Sequence, residues 1–395
     1  MSFFFCKKTS LSFVFDIRDT SVSVGVVKLE KDKKPEIILC QKFELNIHDA
    51  KNYKKCIASL AKVLDKAVVS LRKELVKIGN KESIDTYYFF IGSPWSVSQS
   101  KTIKVIKDKL FEINNSLLKK IIGDEELYIE NSLERQVFES DWDVLEEKII
   151  QSKLNGYVID DIYGKKTQSL TVELFVSFVT KEIKDKLFSF VDSRFGKNMK
   201  IQNHSCVISS YSFLRDLHLN KNDYIYIDVG KLITDIYVVK DEIIFAVASF
   251  PFGEENIIET SVSKTNLSRD IFMSHISIGQ DNKFDLVSHN NGKDILKTGF
   301  DEWEEKFKDT LSKICNEMNI PNNLLVISSG MITTMLIKEL SNKEKDKKFE
   351  HLGSKIEVSI IGEGLINNYI SCAKAFANES YLKMDIIFIN KIFNK

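Results

Sequence analysis

Four prolines and sixteen glycines in 395 residues leave little material for a flexible linker between domains. Charge of one sign is not in surplus either, with 56 Lys+Arg against 56 Asp+Glu. A nucleic-acid-binding chain usually carries a basic excess, so this balance speaks against that class. The six cysteines, Cys6, Cys40, Cys56, Cys206, Cys315 and Cys372, form no CxxC pair. They read as reduced, buried thiols of a cytosolic protein, and neither as a disulfide framework nor as a zinc site. The six histidines show no HxxxH or His–carboxylate ligand spacing, and no G-x-S-x-G elbow appears. No stretch approaches the roughly 18 apolar residues of a membrane span. The apolar run within Met1–Ser10 is too short for a signal peptide. The expectation is a cytoplasmic protein, at most peripheral to a membrane surface.

What remains is an ordinary globular composition, 43% hydrophobic and 28% charged, in a chain long enough for two domains. Strand-like and helix-like periods alternate almost throughout, which predicts an α/β fold. Residues Ser12–Leu45 hold three strand-like runs, with Val22, Val24 and Val26 alternating in the second. Cys56, Leu60, Val63, Leu64, Ala67, Val68, Leu71 and Leu75 then recur at helical spacing. Thr86–Ile91 reads as a buried strand ending at Gly92-Ser93-Pro94. From Val97 to Gln202 the pattern becomes shorter strands around two helices, including a strand at Leu170–Phe178 and a helix at Lys181–Phe195. The residues from about 259 to 320 read as irregular and polar, apart from a helical stretch at Trp303–Met318. Leu324–Ser328 gives one more buried strand, and Leu365–Ala377 a last helix. The lysine-rich runs Lys31–Lys34 and Asn342–Lys348 read as solvated surface.

One unit occurs twice. Phe13-Val14-Phe15-Asp16 is followed by a turn and the strand Val22–Val27, and Ile225-Tyr226-Ile227-Asp228 by a similar turn and the strand Ile236–Val239. An Asp ending a buried strand is costly unless something pairs it. Two such residues at equivalent places in duplicated lobes would face each other across a cleft. Their natural occupant is magnesium with phosphate, since that ion favours a few carboxylates together with water and phosphate oxygens. In that reading Asp16 and Asp228 flank the metal, Thr20, Ser21 and Thr234 offer hydroxyls, and the turns present N–H groups to phosphate. The alternative is that each Asp only starts a turn by accepting a local N–H.

Several segments, in order along the chain, resemble the FtsA/PilM family of the actin-like superfamily. Phe15-Asp16-Ile17 with Thr20-Ser21-Val22 is similar to its first phosphate loop. Ile227-Asp228-Val229-Gly230 through Thr234-Asp235-Ile236 is similar to the second, with Phe250-Pro251-Phe252-Gly253 standing for the later P-I-G-G. Leu154–Tyr157, Gly164-Lys165 and Val172–Ser177 resemble the subdomain peculiar to that family. Ser209–Ser212 resembles the connecting helix, and Val326–Gly330 stands where the family places its adenosine loop.

The resemblance implies two duplicated ribonuclease-H-like lobes with a small inserted α+β subdomain of the SHS2 type. The divisions are 1–97 for the first lobe, 98–203 for the insert, 204–222 for the connecting helix, 223–365 for the second lobe and 366–395 for a C-terminal helix and tail. It further implies ATP and Mg as cofactors, held by Asp16, Arg18, Thr20, Ser21, Asp228, Gly230, Lys231, Thr234, Ser329 and Gly330, with Asp16 and Asp228 at the metal. The implied role is a cytoplasmic adaptor at the inner membrane face that recruits protein partners of a division or type IV pilus machinery, self-associates, and binds no nucleic acid. Its activity would be at most that of a weak Mg-dependent ATPase.

The departures point elsewhere. Arg18 replaces a glycine of the first loop, Lys231-Leu232-Ile233 replace Gly-Gly-Thr of the second, and Ser328-Ser329 replace a Gly-Gly pair. Glycines let backbone approach phosphate closely. Arg18 and Lys231 either serve as direct phosphate ligands or fill the cleft. No Gln or Glu in the connecting helix is placed to orient a hydrolytic water. The competing reading is therefore a nucleotide-free actin-like scaffold, and a third is a sugar or acetate kinase of the same superfamily. In the tail, residues 381–395, Leu382, Ile386, Ile389 and Phe393 share one helical face, which suits a membrane-surface anchor. A helix packed on the core is the alternative, since Asp385 lies near the apolar side.

Overall fold

The computed structural model describes residues 9–45, 53–79, 83–133, 141–196, 199–217, 222–265, 267–280, 291–315, 320–327, 330–345, 357–372 and 379–395. The elements begin β1 (Thr9–Ile17), β2 (Ser21–Glu30), β3 (Glu36–Glu44), α1 (Tyr53–Lys77), β4 (Thr86–Ile91), β5 (Ser96–Glu112), α2 (Asn115–Ser132) and β6 (Trp142–Leu154). They continue β7 (Tyr157–Val158), β8 (Lys166–Thr180), α3 (Lys181–Phe195), β9 (Lys200–Ser205), α4 (Cys206–Asp216), β10 (Tyr224–Val229), β11 (Thr234–Lys240) and β12 (Ile243–Phe250). Then come α5 (Glu254–Val262), α6 (Arg269–Gln280), α7 (Asn291–Cys315), β13 (Asn323–Ile327), α8 (Met331–Lys345), β14 (Glu357–Ile361), α9 (Glu363–Asn367), β15 (Ser371–Cys372) and α10 (Ser380–Asn394). The chain divides into two compact units, one of residues 1–222, 240–245 and 363–395, the other of 223–239 and 246–362.

The first unit is built on the sheet β15-β3-β2-β1-β4-β9. β1 is buried along both faces after its first residue, with Leu11, Phe13, Phe15 and Ile17 on one face and Ser10, Ser12, Val14 and Asp16 on the other. On one face Phe13, Phe15 and Ile17 pack with Leu60, Leu64 and Leu71 of α1 and with Ile183, Phe190 and Val191 of α3. The opposite face carries α4 and α10. Gly25 of β2 makes that seating possible, because a Cβ there would stand 3.2 Å from Leu382 of α10. A second sheet, β5-β8-β6-β7, belongs to the same unit. Helix α2, capped where Asn114 accepts the Leu117 N–H at 2.9 Å, lays Leu118, Ile122 and Ile129 over Leu170, Leu174 and Val176. Its strands are long and not short as the pattern suggested. β5 runs for 17 residues, and the lysines at 101, 104, 107 and 109 mask its period.

The second unit is built on the sheet β12-β11-β10-β13-β14. Its first four positions repeat the arrangement of the first unit, a three-strand antiparallel meander whose first strand pairs in parallel with a later one. Where the sequence reads as irregular, α5, α6 and α7 form instead, and the helix read at Trp303–Met318 begins at Asn291. α7 crosses α5 at Gly299, where any Cβ would lie 2.2 Å from the Ile257 carbonyl oxygen. Only a glycine fits that crossing.

The C-terminal readings need correction. Leu365–Ala377 is no single helix, because α9 ends at Asn367 and β15 follows. The tail is α10, whose Leu382, Met384, Ile386, Ile387, Phe388 and Ile389 are buried in the first unit. Its apolar face covers the sheet and is closed to a bilayer, so the membrane contact expected of residues 381–395 gives way to the core-packed alternative. Asp385 explains itself here, as the buried acceptor of the Ser209 hydroxyl at 2.5 Å. Among the described residues no helix is long and apolar enough to cross a membrane. Of the cysteines, Cys40, Cys56, Cys206 and Cys315 are buried free thiols. Burial pushes Cys40 up to about 12, the unreactive form. Cys6 lies outside the described residues.

Candidate functional site

The repeated hairpins share one geometry. Ile17 pairs with Val22 across the first turn and Val229 with Thr234 across the second, so residues 18–21 and 230–233 form turns of equal length. The Arg18 N–H donates to the Ser21 carbonyl at 2.9 Å, and the Gly230 N–H to the Ile233 carbonyl at 2.8 Å, the same closure in both. Asp16 and Asp228 are the next-to-last residues of β1 and β10, equivalent positions, each nearly fully buried.

In the first unit Asp16 is matched from inside the chain. Arg18 Nε donates to its Oδ1 at 2.9 Å, with side-chain exposures of 14% and 3%. The guanidinium also lies over the Tyr381 ring of α10, 3.9 Å from its centroid. Two further bonds fix the surroundings of the turn: the Trp95 indole donates to the Arg18 carbonyl at 2.8 Å, and the Leu45 N–H to the Thr20 carbonyl at 2.7 Å. The Cys206 thiol donates to Asp16 Oδ1 at 3.5 Å. Beside the hairpin, Ser23 donates to Glu379 Oε2 at 2.7 Å. Burial raises the Glu379 carboxyl, the Ser23 hydroxyl draws it down, and the neighbouring Asp16 charge adds to the upward push. Thr20 and Ser21 lie in this turn with little exposure.

In the second unit the turn is held by the start of α5. The Glu254 N–H donates to the Gly230 carbonyl at 3.0 Å and the Glu255 N–H to the Lys231 carbonyl at 2.8 Å. These are orphan donors of a helix N-terminus, the groups that elsewhere receive anions. Gly253 allows the contact, since a Cβ there would come within 2.5 Å of the Gly230 and Lys231 backbone. Its own N–H donates to Asn256 Oδ1 at 3.0 Å. Thr234 is wholly buried. Its hydroxyl donates to the Phe252 carbonyl at 2.7 Å and accepts the Trp303 indole N–H at 3.0 Å. Lys231 Nζ reaches Glu254 Oε2 at 3.0 Å. Gly330 stands at the start of α8, where its carbonyl accepts from Thr334, and its Cβ position is 3.1 Å from Glu254 Oε1. Ser329 lies outside the described residues.

Of the predicted site residues, Asp16, Arg18, Thr20 and Ser21 thus gather in the first unit, and Gly230, Lys231 and Gly330 meet around Glu254 in the second. Sequence reading missed Glu254, Tyr381, Glu379 and Trp95. The first had a signal, an acid directly after the Phe-Pro-Phe-Gly motif. The other three are distant in sequence from the hairpin they touch. Among the described residues no group of three or more His, Cys, Asp or Glu side chains is placed to hold a metal ion.

No family model matches this sequence, and no curated protein matches it. Solved structures do. The chain is similar to the PilM-PilN type IV pilus biogenesis complex, with a TM-score of 0.56 and 10% identity over 97% of this chain and 98% of that one. It also aligns with a Bacteroides thetaiotaomicron protein of actin-like ATPase fold and unknown function, at TM-score 0.41 and 12% identity over 97% and 99% of the two chains. A third is the ethanolamine utilization protein EutJ from Carboxydothermus hydrogenoformans, at TM-score 0.43 and 9% identity over 95% and 89%. With two lobes built on the same Asp hairpin and sheet order, and a full-length likeness to PilM, this chain has the actin-like ATPase fold.

Proposed function

We propose that this protein is an actin-fold adaptor that works through protein contacts and without a bound nucleotide. The observation that carries the reading is the Arg18–Asp16 pair, in which a guanidinium already neutralises the carboxylate expected to serve magnesium. The remaining donor set fits ATP and Mg no better. The α5 N–H groups are engaged by loop carbonyls, the Thr234 hydroxyl is bonded on both sides, and Lys231 is paired with Glu254. Displacing these partners would expose buried charge and unmade hydrogen bonds, each costing about 1–3 kcal/mol or more.

The likeness to PilM, a member of a complex with PilN, supports a role in recruiting a protein partner of a pilus-type or division-type assembly. A nucleotide switch acting on the same partners is the reading it competes with. Thermal unfolding of the full chain with millimolar Mg-ATP and Mg-ADP separates them. A ligand at about 100 times its dissociation constant stabilises by about 2.7 kcal/mol, several degrees in a chain of this size. The adaptor reading expects no shift; a clear rise with either nucleotide would overturn it.

A further inference from the structure

We propose that Glu254 is a built-in anion, which occupies from within the chain the position that Lys231 and the start of α8 would otherwise offer to an anionic ligand. Its side chain is 7% exposed. Oε1 accepts the Thr333 N–H at 3.2 Å and the Thr333 hydroxyl at 2.6 Å. Oε2 faces Lys231 Nζ at 3.0 Å. Thr333 sits in the first turn of the 15-residue helix α8, where N–H groups have no partner within the helix and the helix dipole favours negative charge. A carboxylate from another element caps that turn as an N-cap side chain would. The same residue opens α5, whose N–H groups hold the 230–231 carbonyls.

One side chain therefore ties together the hairpin turn, the start of α5 and the start of α8. With the carboxylate in place, the ammonium of Lys231 and the Thr333 N–H are satisfied with no external anion. A phosphate group approaching this part of the second unit would have to displace a charge-assisted set of bonds already made. The contact is autoinhibitory toward anions. For its functional meaning it rests on the nucleotide-free reading; its physical content stands on the second unit alone.

The test is anion rescue in the full chain, with inorganic phosphate and formate as probes at constant ionic strength. Glu254→Ala is expected to lower the unfolding midpoint and to speed exchange of the Thr333 amide at least tenfold. Phosphate or formate, but not perchlorate, should raise the variant's midpoint by several degrees more than that of the wild-type chain, and slow that exchange again. A folded Glu254→Ala variant that ignores both anions overturns the proposal. If that variant does not fold, Glu254→Gln decides, because it keeps the shape and removes the charge. Faster Thr333 exchange in Glu254→Gln upholds the built-in anion, and exchange equal to wild type overturns it. Because no nucleotide or metal is present, a negative result here is distinguishable from a failure of the adaptor reading, which only the wild-type Mg-ATP experiment reports.

Discussion

Arg18 and Asp16 are two residues apart at the mouth of one hairpin, and the 2.9 Å bond from Nε to Oδ1 is made where both side chains are largely withdrawn from water. Removing one partner of a buried pair leaves the other charge uncompensated, typically at about 3–5 kcal/mol. Arg18→Ala should therefore lower stability by up to that amount, as read by denaturant unfolding. The same variant should regain stability with millimolar magnesium chloride while the wild-type chain does not. A variant as stable as wild type would show that the pair contributes nothing.

Thr234 makes the opposite kind of prediction, since its hydroxyl bonds lie in the core. Thr234→Val keeps the shape but strands the Phe252 carbonyl and the Trp303 indole, a loss of about 1–3 kcal/mol. Thr234→Ser retains both bonds and should fall well short of that loss. A larger loss from Thr234→Ser than from Thr234→Val would instead assign the residue's contribution to its methyl group.

Deleting residues 384–395 should collapse the first unit's fold, with loss of the cooperative near-ultraviolet signal, because it removes five of the buried apolar side chains by which α10 anchors it. Ile386→Ala, a gentler change, should cost about 2–5 kcal/mol. The full-length protein should not float with anionic liposomes through this helix; flotation abolished by a polar substitution at Phe393 would restore the anchor.

Acid should weaken the first unit through Glu146. Burial would raise this carboxyl, but His204, Lys148 and the Ser205 N–H together outweigh burial and hold it below its ordinary 4.5. Its oxygens accept the Ser205 N–H at 2.7 Å and hydroxyl at 2.8 Å, and Ser205 in turn caps α4 through the Ile208 N–H at 3.2 Å. A depressed folded value means the stabilisation is complete above the unfolded value of 4.5 and is lost as pH falls through the lower folded one. Glu146→Gln should flatten that acid limb of the stability curve, and an unchanged limb would place the dependence elsewhere.

Much of this architecture was visible in the order of residues because period and pairing agree. The Asp16 and Asp228 hairpins could be matched by eye, and the register makes their turns equal in length. Thr86–Ile91 and Lys181–Phe195 form as read, since each has one period and clear ends. Other readings failed where the deciding partner is remote. The apolar stripe of α10 is the same whether a bilayer or a sheet covers it, and only Gly25, hundreds of residues earlier, decides. Glu254 drew no reading from the sequence, because its meaning comes from Lys231 and Thr333 together. Thr234 read as a phosphate ligand because its motif suggests one; Trp303, remote in sequence on a helix whose partner the pattern does not reveal, takes that hydroxyl instead.

Helix α10 also sets an order of assembly. The sheet face around Gly25 is completed by residues that leave the ribosome after the whole of the second unit. During synthesis the second unit, whose chain ends at residue 362, before α10 begins, can bury its core while β1 and β2 still lack their cover. Until the last helix arrives, the nascent first unit exposes an apolar sheet face, the kind of surface that chaperones hold and that aggregates when left alone.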